Sequence, residues 1–189
     1  MTRNRVGLLL LISSLLTGCV MAVVAGAAAG LVVYDRRSVT MIERDARIFY
    51  LVHKTLVTDP RFRTSHVVVS VFNQAVLLVG QTPIASLRVV AEKTAQSTPY
   101  VRRVYNEITV DPVSHVLTER SKDVWITSEV RAKLLTRKGL ESGSIRVLTE
   151  QEVVYLMGVA THEQANLAVD VARQVPEVRK VVKVFQYIR

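Results

Sequence analysis

The chain has 189 residues, a formal net charge of +9, a hydrophobic content of 49% and one cysteine. That size bounds the fold at about two small domains, and a lone cysteine excludes an internal disulfide framework. The basic balance calls for a polyanionic neighbour, and the first residues decide which kind.

Arg3 and Arg5 form a basic start, Val6 to Ile12 an apolar run, and Ser13 to Gly18 a small-residue approach to a cleavage point, which is the layout of an export signal. Leu16-Thr17-Gly18-Cys19 then matches the lipobox pattern, in which the thiol is acylated and the chain is cut just before it. Residues 1–18 are expected to be a lipoprotein signal peptide, and Cys19 the lipidated first residue of the mature chain. The alternative is an ordinary free cysteine. Each buried methylene is worth about 0.8 kcal/mol, and stable anchoring needs more than one chain, which acylation of both thiol and amine supplies. The lipobox resemblance also implies sorting: Val20 stands where aspartate directs inner-membrane retention, so the outer membrane, on its periplasmic side, is the expected address. An exported chain seldom meets nucleic acid, which leaves phospholipid headgroups and lipopolysaccharide as the polyanions.

No charge occurs from Val6 to Tyr34, so an uncleaved membrane span competes with this reading. Ser13, Ser14, Thr17 and Gly18 interrupt that span, and Val20 to Val33 is too short to cross once Cys19 is the first residue. Residues 19–43 read as an acylated N-terminus and apolar tether.

The rest is a duplication. A shift of 78 sets Ile48 on Ile126, Val52 on Val130, Leu56 on Leu134, Val76 on Val154 and Gly80 on Gly158; a shift of 77 then sets Pro99 on Pro176 and Val104 on Val181. In each copy the first apolar residues recur every fourth position, as on one face of a helix. Val67–Phe72 and Ala75–Gly80 read as a hairpin turning at Asn73-Gln74, and Ile145–Thr149 and Val153–Gly158 repeat it around Glu150 and Gln151. A second helix (84–97 and 163–174) and a last strand (101–110 and 178–187) complete each copy. The expected class is α+β: two tandem αββαβ modules at 44–111 and 123–189, joined by a linker at 112–122. Each should form a three-stranded mixed sheet with both helices on one face. The other face is left open, and a module of roughly 70 residues is marginal alone. The modules should therefore pack together or cover those faces elsewhere.

The glycine ending the second strand (Val-Leu-Leu-Val-Gly80 and Val-Tyr-Leu-Met-Gly158), the helix after it and the closing Val101-Arg-Arg-Val-Tyr-Asn-Glu-Ile108 resemble the BON domain. Two such modules behind a lipobox are similar to the dual-BON outer-membrane lipoproteins. The resemblance implies binding of anionic phospholipid and support of the outer-membrane barrier, with enrichment at the division site.

Nothing in the sequence frames a catalyst, a metal site or a cofactor. His53, His66, His115 and His162 are isolated, and no Gly-x-Ser-x-Gly elbow or phosphate loop is present. Binding has better candidates. Trp125, the single tryptophan, is one position from Ile126 and about 100° from it on a helical wheel, which predicts a place at the edge of the core. Lys122, Arg131, Lys133, Arg137 and Lys138 surround it with positive charge. An indole ringed by cations suits the headgroup boundary, and the resemblance implies that this helix meets lipid. The competing role for Trp125 is a plug between the modules. A second functional class is an adaptor whose open sheet faces recruit an envelope protein, an assembly factor or a protease. Arg61, Arg63, Arg88, Arg102 and Arg103 serve either class.

Overall fold

The computed structural model describes residues 37–113 and 117–188. The signal peptide, Cys19, the tether as far as Arg36, and His115 lie outside the described residues. Among the described residues no helix is long and apolar enough to cross a membrane.

The first module runs α1 (Val39–Thr58), β1 (His66–Phe72), β2 (Ala75–Thr82), α2 (Ala85–Gln96) and β3 (Arg103–Val110). The second runs α3 (Leu117–Thr136), β4 (Ile145–Glu150), β5 (Val153–Ala160), α4 (His162–Arg173) and β6 (Lys180–Tyr187). In both, the central second strand pairs antiparallel with the first and parallel with the third. The last strands begin two residues later than the sequence reading has them, at Arg103 and Lys180, and both first helices begin earlier. Ser38 caps α1, its Oγ accepting the Met41 N–H at 3.2 Å, so helix begins inside the expected tether. Likewise α3 begins at Leu117, inside the expected linker.

One face of each sheet packs on its own helices. Ile48, Val52 and Leu56 of α1 and Leu87, Ala91 and Ala95 of α2 meet Val69, Val71, Val76, Leu78 and Ile108. The second module repeats this with Ile126, Val130 and Leu134 against Val147, Val154, Leu156 and Phe185. Alanine on the inward face of α2 and α4 lets the helix lie close to the strands. Gly80 and Gly158 are required by a similar approach: a Cβ on either would overlap the carbonyl oxygen of His66 or Ser144 respectively, and Gly80 also has φ +116°.

The open faces close on each other. Phe72, Leu77 and Val79 of the first sheet and Tyr155, Met157 and Val184 of the second form one buried cluster. At its rim the Asn73 side-chain amide donates to Gln186 Oε1 (2.8 Å) and the Gln186 amide donates to the Asn73 carbonyl (3.1 Å). His66 Nε2 lies 3.2 Å from Glu150 Oε1, and the Arg37 and Arg146 guanidiniums lie 4.2 and 5.9 Å from the Phe72 ring centroid. The result is a four-layer sandwich, helices on sheet on sheet on helices. It corrects one expectation: faces buried against each other cannot recruit an adaptor's partner.

The second hairpin also turns one residue later than expected. Its central pair is Gln151-Glu152 (φ 51° and 62°), matching Asn73-Gln74 (φ 50° and 63°). Two successive positive φ values are the mirror-image turn that fits strand twist. Here it is held without glycine by a carboxylate from the neighbouring helix. Asp45 accepts the N–H groups of Asn73 and Gln74 at 2.7 Å each, and Asp123 those of Gln151 and Glu152 at 2.8 Å each.

Candidate functional site

The five residues expected to contact lipid all belong to α3 or follow its last turn. The inward arc of α3 runs through Asp123, Ile126, Val130 and Leu134, so its centre lies beyond Ile126. Trp125 therefore falls about 140° from that centre rather than at the core edge. It is 47% exposed and is not part of the cluster between the sheets, so the plug role is closed to it.

Trp125 does not stand alone on the outer side. Val124 and Leu135 are 67% and 44% exposed, with the small residues Ser128 and Ala132 between them. These five make a stripe along the helix opposite its core face. The hydroxyls on this side are already satisfied: Ser128 Oγ donates to the Val124 carbonyl at 2.9 Å, and Thr136 Oγ1 to the Ala132 carbonyl at 3.3 Å. The stripe can thus leave water without orphaning a donor. The sequence reading missed Val124 and Leu135. Their spacing from Trp125 was the signal, but apolar residues outside the core periodicity do not declare which side they face.

The cations flank the stripe and are held to different degrees. Lys122 Nζ sits 3.3 Å from Glu177 and 3.4 Å from Glu152, and these two carboxylates raise its pKa above the ordinary lysine value. Arg131 donates to the Val147 carbonyl at 3.0 Å, which fixes its guanidinium at the helix flank. Lys133 pairs with Glu129 at 3.6 Å. Arg137 and Lys138 are exposed just past the helix end. Arg131 and Lys133 thus lie on opposite flanks of the stripe that holds Trp125, Arg137 follows its last turn, and Lys122 turns toward the carboxylates at the end of the second sheet.

Other features are weaker candidates. Among the described residues no group of three or more His, Cys, Asp or Glu is placed to hold a metal ion. His53 stacks on Phe49 and His162 on Tyr187. A cleft of about 310 Å³ at the seam is lined by Arg37, Met41, Phe72, Asn73, Ser144 and Val159, but Arg37 is engaged by Asp45 at 2.6 Å.

The BON-domain family model matches residues 44–112 and 122–189. The chain is 33% identical over 187 residues to the outer membrane lipoprotein DolP of Haemophilus influenzae, covering 98% of this chain and 96% of that protein. It is 36% identical over 118 residues to a 21 kDa hemolysin of Actinobacillus pleuropneumoniae, covering 62% of this chain and 60% of that protein. Among solved structures, the C-terminal domain of CdsD, a structural protein of the Chlamydia trachomatis type III secretion system, aligns with a TM-score of 0.31. The identity is 9%, over 78% of this chain and 98% of that chain.

Proposed function

The chain belongs to the BON-domain family, as a dual-BON protein of the DolP type, and from that premise we propose that it carries a second membrane contact beside its lipid anchor. It is an outer-membrane lipoprotein facing the periplasm, and this kinship points to a non-catalytic envelope protein. Acylation at Cys19 is the anchor in this reading. The second contact is the outer face of α3, which binds anionic phospholipid and supports outer-membrane integrity, extending to the division site.

The observation that carries the lipid reading is the exposed Val124–Trp125–Leu135 stripe with internally satisfied hydroxyls and cations on both flanks. Moving the exposed part of each apolar side chain out of water is worth about 1–2 kcal/mol, so the stripe alone binds weakly. The acyl anchor holds it beside the bilayer, and effective concentration makes a weak contact sufficient. Phosphate groups then meet Arg131, Lys133 and Arg137 at the headgroup level.

The test is flotation of the chain begun at residue 35, without the acyl site or the apolar stretch that follows it, with vesicles of phosphatidylglycerol and phosphatidylethanolamine. The intact stripe floats with the vesicles, and Trp125→Ser reduces the bound fraction. Equal flotation of both chains would remove the stripe from the mechanism.

A further inference from the structure

The first module has an exposed apolar helix face of its own, with a different chemistry. Val39, Tyr50 and Val57 of α1 are 74%, 58% and 66% exposed on the side away from Ile48, Val52 and Leu56, and Ile42 and Phe49, 40% and 42% exposed, lie on the flank that joins this side to the core. The aromatic residues are held in place. Phe49 stacks on His53 with centroids 5.3 Å apart, and Lys54 Nζ lies 5.5 Å from the Tyr50 ring. On the opposite flank of the helix Arg44 reaches over Tyr100 at 5.6 Å. Arg47 is exposed on the same helix.

The sandwich decides what this face can meet. The helices form its outer layers, so α1 and α3 look in opposite directions with both sheets between them. At about 10 Å per layer they stand roughly 30 Å apart, and a bilayer touching α3 does not reach α1. Lipid is also the wrong chemistry, because the exposed Glu43 lies in line between Val39 and Tyr50 and would enter hydrocarbon as an unpaired charge. A second copy fits poorly too, since it would bring two cations per chain, Arg47 and Lys54, together with one acid, Glu43, to offset them. Asp45, the other acid of α1, is buried and engaged by Arg37, so the exposed charge of this helix is net positive. Exposed aromatics with arginine on a rigid helix are the composition of a protein interface.

We propose that the outer face of α1 docks an acidic amphipathic segment of another envelope protein, on the side of the molecule turned away from the bilayer. The orientation rests on α3 being the membrane side. The lipoprotein then joins two neighbours through opposite layers, lipid on the second module and protein on the first.

The experiment places a photo-crosslinking benzophenone residue at position 50 of the full acylated chain in cells, with position 132 on α3 as the comparison. The expected result is a protein adduct at position 50 whose mapped contact stretch is rich in Asp and Glu. The R47E/K54E chain should lose that adduct by about tenfold or more, as expected when two favourable charge contacts become repulsive. Adducts only to lipid or to a second copy, a contact stretch without acidic excess, or an adduct indifferent to R47E/K54E would each overturn the proposal. Vesicle flotation of the R47E/K54E chain separates the two readings. Unchanged flotation is expected, and its loss would put lipid on α1 and overturn the proposal. Failure of the α3 reading shows instead in flotation of Trp125→Ser, which leaves the position-50 adduct untouched.

Discussion

Asp45 and Asp123 are equivalent residues 78 positions apart, and each uses both carboxylate oxygens to bind the two successive N–H groups of its own module's hairpin turn. They differ in what else they hold. Asp45 is 4% exposed and also binds Arg37 at 2.6 Å, whereas burial pushes the Asp123 carboxyl above its ordinary value against the pull of its two N–H donors. Asp45→Ala orphans two N–H groups and takes the carboxylate partner from the nearly buried Arg37 guanidinium, and should cost about 3 kcal/mol. Asp123→Ala, which orphans only the N–H pair, should cost about 1–2 kcal/mol. Urea unfolding of the two variants checks the order, and an equal cost would deny Arg37 any share.

The duplication, the strand order and both helix faces were legible because they are local periodicities. The 78-residue shift also superposes Asp45 on Asp123, but an acid repeated inside an amphipathic helix reads as solvent-facing until the turn beneath it is known. The closure of the two sheets had a signal as well. Ala75 to Val79 and Val153 to Met157 are apolar at every position, without the alternation of a half-exposed strand, and this is the pattern of a strand covered on both faces. What covers the second face is a non-local fact. One sequence offers the modules each other, a partner or a membrane, and only the packing of Leu77 and Met157 into one cluster decides among them.

Gly80 and Gly158 should respond unequally to alanine. Both meet a strand-start carbonyl, but only Gly80 has a positive φ, so its alanine adds backbone strain to overlap. Gly80→Ala should cost roughly 1–2 kcal/mol more than Gly158→Ala, the usual range for a strained backbone position. Thermal unfolding ranks the two, and the reverse order would mean that the close approach dominates.

Tyr155 lies in the seam, where burial, reinforced by the Glu107 and Glu150 carboxylates, pushes its phenol from 10.0 up to about 12. A raised folded pKa contributes stability that is complete below the unfolded value and disappears as pH climbs through the folded one. The window is therefore from pH 10 to about 12, and the loss is about 2–3 kcal/mol. Tyr155→Phe has no proton to lose. Its urea midpoint should fall less steeply than that of the parent across this window, and parallel curves would show that the phenol ionises without opening the seam.

The membrane face makes its sharpest prediction at Ser128. Its side chain lies between Trp125 and Ala132 on the exposed side of α3 and bonds only to its own helix, at the Val124 carbonyl. Ser128→Asp should leave stability within about 0.5 kcal/mol, as for an ordinary surface change, because no core residue is touched. At a bilayer the same carboxylate would have to leave water in the middle of the apolar stripe and face anionic headgroups, and both costs oppose binding. Flotation should fall at least as far as with Trp125→Ser, and because salt screens charge, a purely electrostatic deficit relative to the parent chain would shrink as salt is raised. A deficit of Ser128→Asp relative to the parent that persists in high salt identifies insertion of the stripe, and a deficit that vanishes there would reduce α3 to an electrostatic contact through Arg131, Lys133 and Arg137.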